Sequence, residues 1–141
     1  MVKKLLALGG DGIGPEVLES GLKILETVSK GIKVNFDIDF DLIGGICWDK
    51  YGTFCRNITI KKAKEVDAIL VGAVGGPKWD AMKIKGDPVD QDGLMCLRKK
   101  LDTFFGIRPI KYYQSLHKII PFYMKNVQNS EIIILREMCG G

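Results

Sequence analysis

The sequence predicts an α/β domain built on a mainly parallel sheet flanked by helices. Three observations carry that expectation. Short apolar runs of strand character alternate with segments of helical periodicity, two of those runs end in glycine-rich turns, and the balance of 46% hydrophobic and 27% charged residues is that of a folded globular chain. At 141 residues the chain suits one domain or part of a larger one.

The elements follow in order. Val2 to Leu8 reads as a short buried strand. Its start imitates a signal peptide, with Lys3 and Lys4 before Leu-Leu-Ala-Leu, but the apolar stretch breaks at once into Gly9, Gly10 and Asp11. A cytoplasmic protein is expected. A helix opens at Pro15, with Glu16 at the positive end of its dipole. Val17, Leu18, Gly21, Leu22, Leu25 and Val28 form its apolar stripe, and Gly31 closes it. From Val34 to Leu42, apolar and polar residues alternate as in a half-buried strand. Gly44-Gly45 and Tyr51-Gly52 mark loops. Ile58 to Glu65 reads as a short helix with Asn57 as N-cap. Asp67 to Val71 is an apolar strand running into Gly72 to Pro77.

Lys83 to Asp92 is a charged loop, Gly93 to Leu101 a helix, and Phe104 to Ile110 a strand. Tyr112 to Asn129 is irregular or partly helical, and Glu131 to Arg136 carries a buried Ile-Ile-Ile-Leu strand. No internal repeat or low-complexity segment interrupts the series.

Several classes of function are disfavoured. The net charge of +4 is spread without a cationic run, so nucleic acid is not implied. The longest uncharged apolar-plus-glycine run, Ala68 to Gly76, is far short of the ~20 residues that span a bilayer. Cys47, Cys55, Cys96 and Cys139 contain no C-x-x-C pair, and His117 is the sole histidine. Reduced thiols are expected instead of a zinc site or disulfides.

Two features bear on chemistry. Ligands of open α/β sheets bind beyond the carboxyl ends of strands, where this chain places its glycine turns, Gly9 to Gly14 and Gly72 to Pro77. The first is G-x-G-x-G and not a dinucleotide fingerprint; such a loop is more often a tight turn than a phosphate cradle, and two of them favour a nucleotide or anion site only weakly. The second feature is arginine usage. Of 21 basic residues only four are arginines, and Arg98, Arg108 and Arg136 lie at marked places in a helix and two strands. A guanidinium grips a carboxylate through a planar fork that lysine lacks, so three converging arginines would suit a dicarboxylate; ordinary ion pairs are the equally open alternative.

Five ordered motifs give the sequence a resemblance. Gly10-Asp-Gly-Ile-Gly-Pro-Glu-Val17 resembles the opening motif of the isocitrate and isopropylmalate dehydrogenase superfamily. Asp67-Ala-Ile-Leu-Val-Gly-Ala-Val-Gly-Gly-Pro-Lys-Trp-Asp80 is similar to the isopropylmalate branch. Gly93-Leu-Met-Cys-Leu-Arg-Lys99, Ile107-Arg-Pro109 and Leu135-Arg-Glu-Met-Cys-Gly-Gly141 match its three arginine motifs. Essentially the whole chain is covered.

The resemblance implies a three-layer fold present only in its N-terminal part: residues 1–101 from a first, cofactor-side domain and 102–141 from the start of a second. It implies hydride transfer from a 2-hydroxy dicarboxylate to NAD, then decarboxylation aided by Mg2+ or Mn2+, in leucine biosynthesis. Arg98, Arg108 and Arg136 would hold the substrate carboxylates. Ile13, Gly76, Pro77, Lys78, Trp79, Asp80 and Gln91 would lie against NAD. The isocitrate branch sets a serine and an asparagine before its first arginine, whereas Asp92 and Leu94 stand six and four positions before Arg98, followed by Met95. Leu94 and Met95 suit an isopropyl group and leave a third carboxylate unpaired; for Met95 a plain core position is an equal reading.

Two positions depart from the family pattern: Gln91 replaces a usual glutamate, and Cys139 a usual threonine. The family's catalytic tyrosine and lysine and its metal-binding aspartates follow the Gly-Gly of the last motif, so none is expected within this chain. The piece alone is expected to be inactive, the intact enzyme to be a homodimer, and a separate C-terminal chain is a conceivable partner. The rival readings are a relative acting on tartrate, homoisocitrate or isocitrate, and a non-catalytic dicarboxylate-binding remnant.

Overall fold

The computed structural model describes residues 1–82 and 92–138, which divide into two compact units, one from Met1 to Leu101 and one from Asp102 onward. The first unit is built on a parallel sheet in the order β2-β1-β3, formed by β1 (Val2–Gly10), β2 (Asn35–Asp41) and β3 (Ala68–Ala73). Leu5 pairs with Ile38 on one side and Ala68 on the other, so β1 is the central strand. That position explains its unbroken apolar run: Leu5 through Leu8 are buried on both faces. The edge strand β2 keeps the alternation expected of it, with Phe36 and Ile38 half-buried between exposed aspartates, although Phe40 is exposed.

Helices cover both faces of the sheet. Helix α1 (Gly14–Ile32) packs on β1 and β3, and Leu18 and Leu22 share a cavity wall with Ala7. Leu6 and Leu8 point the other way, into a core with Ile43, Cys55, Ala63, Cys96 and Leu97. That second layer comprises α2 (Gly45–Tyr51), α3 (Asn57–Lys64), the single-turn α4 (Pro77–Asp80) and α5 (Gly93–Lys100). Among the described residues no helix is long and apolar enough to cross a membrane.

Several local expectations are corrected. The α1 stripe is narrower than its spacing suggests: Leu18 is buried, but Val17 and Val28 are exposed. Helix α1 runs past Gly31, and Lys33 takes the left-handed closing conformation, its amide bonded to the Ser29 carbonyl. The segment between the two glycine markers at 44–45 and 51–52 is helical, not loop. Asn57 is the first residue of α3, with Arg56 at the cap and no side-chain cap bond.

The second unit is a two-stranded antiparallel sheet of β4 (Phe105–Lys111) and β5 (Glu131–Glu137). The connection holds a 3-10 helix (Gln114–Ile119) and a short α6 (Met124–Val127). Every residue of β5 is exposed, so the burial expected for Ile-Ile-Ile-Leu is not realised. Of the charged loop from Lys83 to Asp92, residues 83–91, with Gln91 among them, lie outside the described residues, as do the last residues 139–141, which include Cys139.

Candidate functional site

The chain leaves β1, adds β2 on one side, then returns to add β3 on the other. That reversal opens a crevice beyond the carboxyl ends of β1 and β3, the place where open α/β sheets bind ligands. The two glycine turns meet there. Gly10 has φ +75°, and a Cβ on it would overlap the Ala73 carbonyl. The Asp11 amide donates to that same carbonyl at 2.6 Å. Gly10 and Gly14 of the first loop therefore serve close packing between β1, α1 and β3.

Asp11 holds the crevice together. It is only 3% exposed. Its Oδ2 accepts from the amides of Gly45 (2.8 Å) and Gly75 (2.9 Å), and its Oδ1 from that of Ile46 (2.7 Å). One carboxylate thus caps α2 from a distant loop and fixes the turn after β3.

Beyond Gly75, α4 begins with Pro77 at its first position. The amides of Trp79 and Asp80 both donate to the Gly76 carbonyl at 2.9 Å, and Asp80 Oδ1 accepts from the Gly76 amide at 3.2 Å. Lys78 Nζ donates to Asp49 Oδ2 at 2.6 Å, and Trp79 Nε1 donates to Asp49 Oδ1 at 3.2 Å. Those two bonds, Lys78 first, hold the Asp49 carboxyl below its usual range. A cavity of about 190 Å³ lies here, lined in part by Asp11, Gly75, Trp79, Asp80 and Asp92. A larger hollow of about 640 Å³ lies on the α1 face, walled by Leu18, Leu22, Phe40, Tyr51 and Arg56. Arg56 pairs with Asp41 and lies 4.2 Å over the Tyr51 ring.

Asp92 caps α5, accepting from the amides of Leu94 (2.8 Å) and Met95 (3.2 Å). Cys96 and Leu97 face the core. Leu94 and Met95 precede Arg98 by four and three positions, so the helix sets them on its flank beside that arginine. Leu94 and Arg98 are half-buried and Met95 is 45% exposed, so Met95 is not a core residue in this unit. Ile13, at the cap of α1, is also exposed.

In the second unit, Arg108 pairs with Ile134 and Gly106 with Arg136. Opposed residues of an antiparallel ladder share a face, as do residues two apart, so Arg108 and Arg136 are diagonal neighbours on one face. The ladder thus brings two of the three expected substrate arginines together.

Cys47, Cys55 and Cys96 are buried and take part in no disulfide. Burial foremost, then the neighbouring Cys96, pushes the Cys55 thiol up to about 12, which makes it unreactive at neutral pH. Among the described residues no three His, Cys, Asp or Glu side chains gather to hold a metal ion. Asp11, Gly45 and Asp49 are the site residues that sequence reasoning passed over. An aspartate within a glycine run was the available signal for Asp11, since such side chains accept backbone amides.

Comparison with known proteins places the chain in a family and a fold. A family model described as isocitrate/isopropylmalate dehydrogenase matches residues 4–141. The 3-isopropylmalate dehydrogenases of Bacillus subtilis (strain 168) and Lactococcus lactis subsp. lactis (strain IL1403) are 40% and 39% identical to this chain over all 141 residues. That of Dehalococcoides mccartyi (strain ATCC BAA-2266 / KCTC 15142 / 195) is 43% identical over 138 residues, 98% of this chain and 37% of its own length. The chain spans 38% and 39% of the first two, so under two-fifths of these relatives' length. Among solved structures, isocitrate dehydrogenase from Methylococcus capsulatus shares the fold with TM-score 0.74 and 20% identity, covering 99% of this chain and 35% of its own. A beta-decarboxylating dehydrogenase from Thermococcus kodakarensis gives 0.68 and 23%, covering 96% and 33%.

Proposed function

Because this chain belongs to the isocitrate/isopropylmalate dehydrogenase family, we propose that it forms the N-terminal part of a 3-isopropylmalate dehydrogenase of leucine biosynthesis. In the whole enzyme, a soluble homodimer of the cytoplasm, Arg98, Arg108 and Arg136 hold the two substrate carboxylates. Leu94 and Met95 receive the isopropyl group. Ile13, Gly76, Asp80 and Gln91 lie along NAD, with Pro77, Lys78 and Trp79 in the same segment.

The observation that carries the reading is the flank of α5. An arginine beside two apolar side chains presents one carboxylate-binding group and a surface with no partner for a further charge. The pair Arg108 and Arg136, diagonal on one ladder face, supports the reading by offering two further guanidiniums from one surface.

NAD supplies the hydride acceptor, and a divalent cation supplies charge stabilisation for loss of the carboxylate. The part we assign to this chain is binding and orientation. It fixes the carboxylates, keeps the apolar branch from water and presents the turn after β3 to the cofactor. The 141 residues alone are expected to show no turnover, because Tyr51, Tyr112, Tyr113 and Tyr123 do not match the family's catalytic tyrosine.

The test is an NAD-coupled assay on a protein in which this chain is completed by the remainder of the Bacillus subtilis relative. 3-Isopropylmalate should be preferred over isocitrate by at least about 100-fold in kcat/KM. Equal use of isocitrate, or clear turnover by the 141-residue chain, would overturn the reading.

A further inference from the structure

Resting on the reading of Gly75 to Asp80 as the cofactor-side segment, we propose that Asp49 and Gly45 on α2 are its positioning residues, with Lys78 and Trp79 serving as the anchors they hold. The two oxygens of the Asp49 carboxylate take different partners. Oδ2 accepts from the Lys78 ammonium and Oδ1 from the Trp79 indole N–H. The hydrogen-bonding head of each anchor is therefore committed to α2. A cofactor phosphate beside Lys78 would share its ammonium with the Asp49 carboxylate.

Gly45 provides the seat. Its backbone is buried under the Trp79 indole, and a Cβ there would overlap the ring atoms Cδ2 and Cε2. A ring lies flat on backbone only where no side chain intervenes. Asp11 adds a third point, since it bonds the amides of Gly45 and Gly75 through one oxygen. Helix α2 and the turn after β3 are thus tied at both ends, and the segment reaches the cavity already shaped, with Gly75 and Asp80 on its wall.

The two bonds of Asp49 make the idea separable from a general stabilising role. The chain has two tryptophans, so Trp48→Phe leaves Trp79 as the only indole reporter and keeps a ring against Phe54, where Trp48 stacks at 5.0 Å. In that background, acrylamide quenching reports Trp79, and acylation by an amine-reactive ester, read by mass spectrometry, reports Lys78. Asp49→Ala removes both acceptors and should raise both signals about threefold, the size expected for one charge-assisted and one ordinary hydrogen bond at an accessible site. Asp49→Asn keeps an oxygen for the indole but offers Lys78 no charge. It should restore Trp79 to the parent level while Lys78 stays reactive. Gly45→Ala should raise Trp79 quenching and leave Asp49 in place; far-UV circular dichroism identifies any variant that has unfolded.

Asp49→Ala with both signals at the parent level would overturn the proposal, as would Asp49→Asn moving the two signals together. A titration with NAD of the protein completed by the remainder of the Bacillus subtilis relative is read separately. Absence of any NAD-induced change there would sink the cofactor reading, while the clamp on Lys78 and Trp79 is decided by the two reporters alone.

Discussion

Leu5-Leu6-Ala7-Leu8 in β1 and Ile132-Ile133-Ile134-Leu135 in β5 are closely similar runs that reach opposite extremes of burial. The first four residues are 5%, 0%, 0% and 0% exposed, the second four 56%, 59%, 45% and 60%. Both runs are apolar enough to be buried; what differs is the number of layers around them. β1 has a strand on each side and a helix layer on each face, all from its own unit. β5 has one partner strand among the described residues, and each of its seven residues is exposed. A run of four apolar residues thus specifies that a strand seeks burial, while the surrounding elements decide whether it is met. An isolated two-stranded ladder is marginal in water, so the first unit is where stability resides.

The sharpest way to break that comparison is to remove the carboxylate that knits the first unit's loops. Asp11→Ala leaves three amides without their acceptor in a buried place. A loss of about 3–5 kcal/mol is expected, the range for breaking a buried charge-assisted network. Urea unfolding followed by far-UV circular dichroism measures it. A shift under about 1 kcal/mol would mean that water replaces the carboxylate without cost, and the first unit's stability would then have to come from its core alone.

What the sequence made legible follows from the range of the forces involved. Strand β1 was readable because burial is recorded locally, in an unbroken apolar run, whereas the capping of α5 by Asp92, equally local, was seen only in the structure. The short α2 was not readable. Its N-terminal cap comes from Asp11, 34 positions away, and local spacing carries no trace of such a partner. For the same reason Asp49 went unread, since its partners Lys78 and Trp79 lie about 30 positions on. The substrate arginines were visible as residue types, because the chain otherwise uses lysine, yet the shared ladder face of Arg108 and Arg136 needed the register.

A paired substitution sharpens the comparison further. Leu8→Ala opens a void in the core beside Ile43 and Leu97 and should cost about 2–5 kcal/mol. Ile133→Ala removes as many exposed carbons from β5 and should change stability by less than about 0.5 kcal/mol. Hydrogen exchange should show the same division, with β1 amides opening only on global unfolding and β5 amides opening locally. Equal costs for the two substitutions would mean that β5 is covered in solution, for instance by a second copy of the chain.

The smallest effect concerns the outer rim of the first unit. Asp67 accepts from Lys3 Nζ at 2.6 Å and from the Lys4 amide at 2.8 Å, tying the starts of β3 and β1. The Lys3 bond first, then the Lys4 amide, holds its carboxyl below the usual range. A carboxylate with a lowered folded value contributes stability that is full above its unfolded value, about 3.9, and is lost as pH falls through the folded value. Asp67→Asn should therefore unfold at a slightly lower urea concentration than the parent at pH 7, and the gap should close as pH falls through the lowered folded value. The pair is exposed, so the gap at pH 7 is expected to be small and to shrink in high salt. A gap that persists unchanged at low pH would assign it to the altered side chain's shape, and the tie between β1 and β3 would then rest on the backbone ladder rather than on charge.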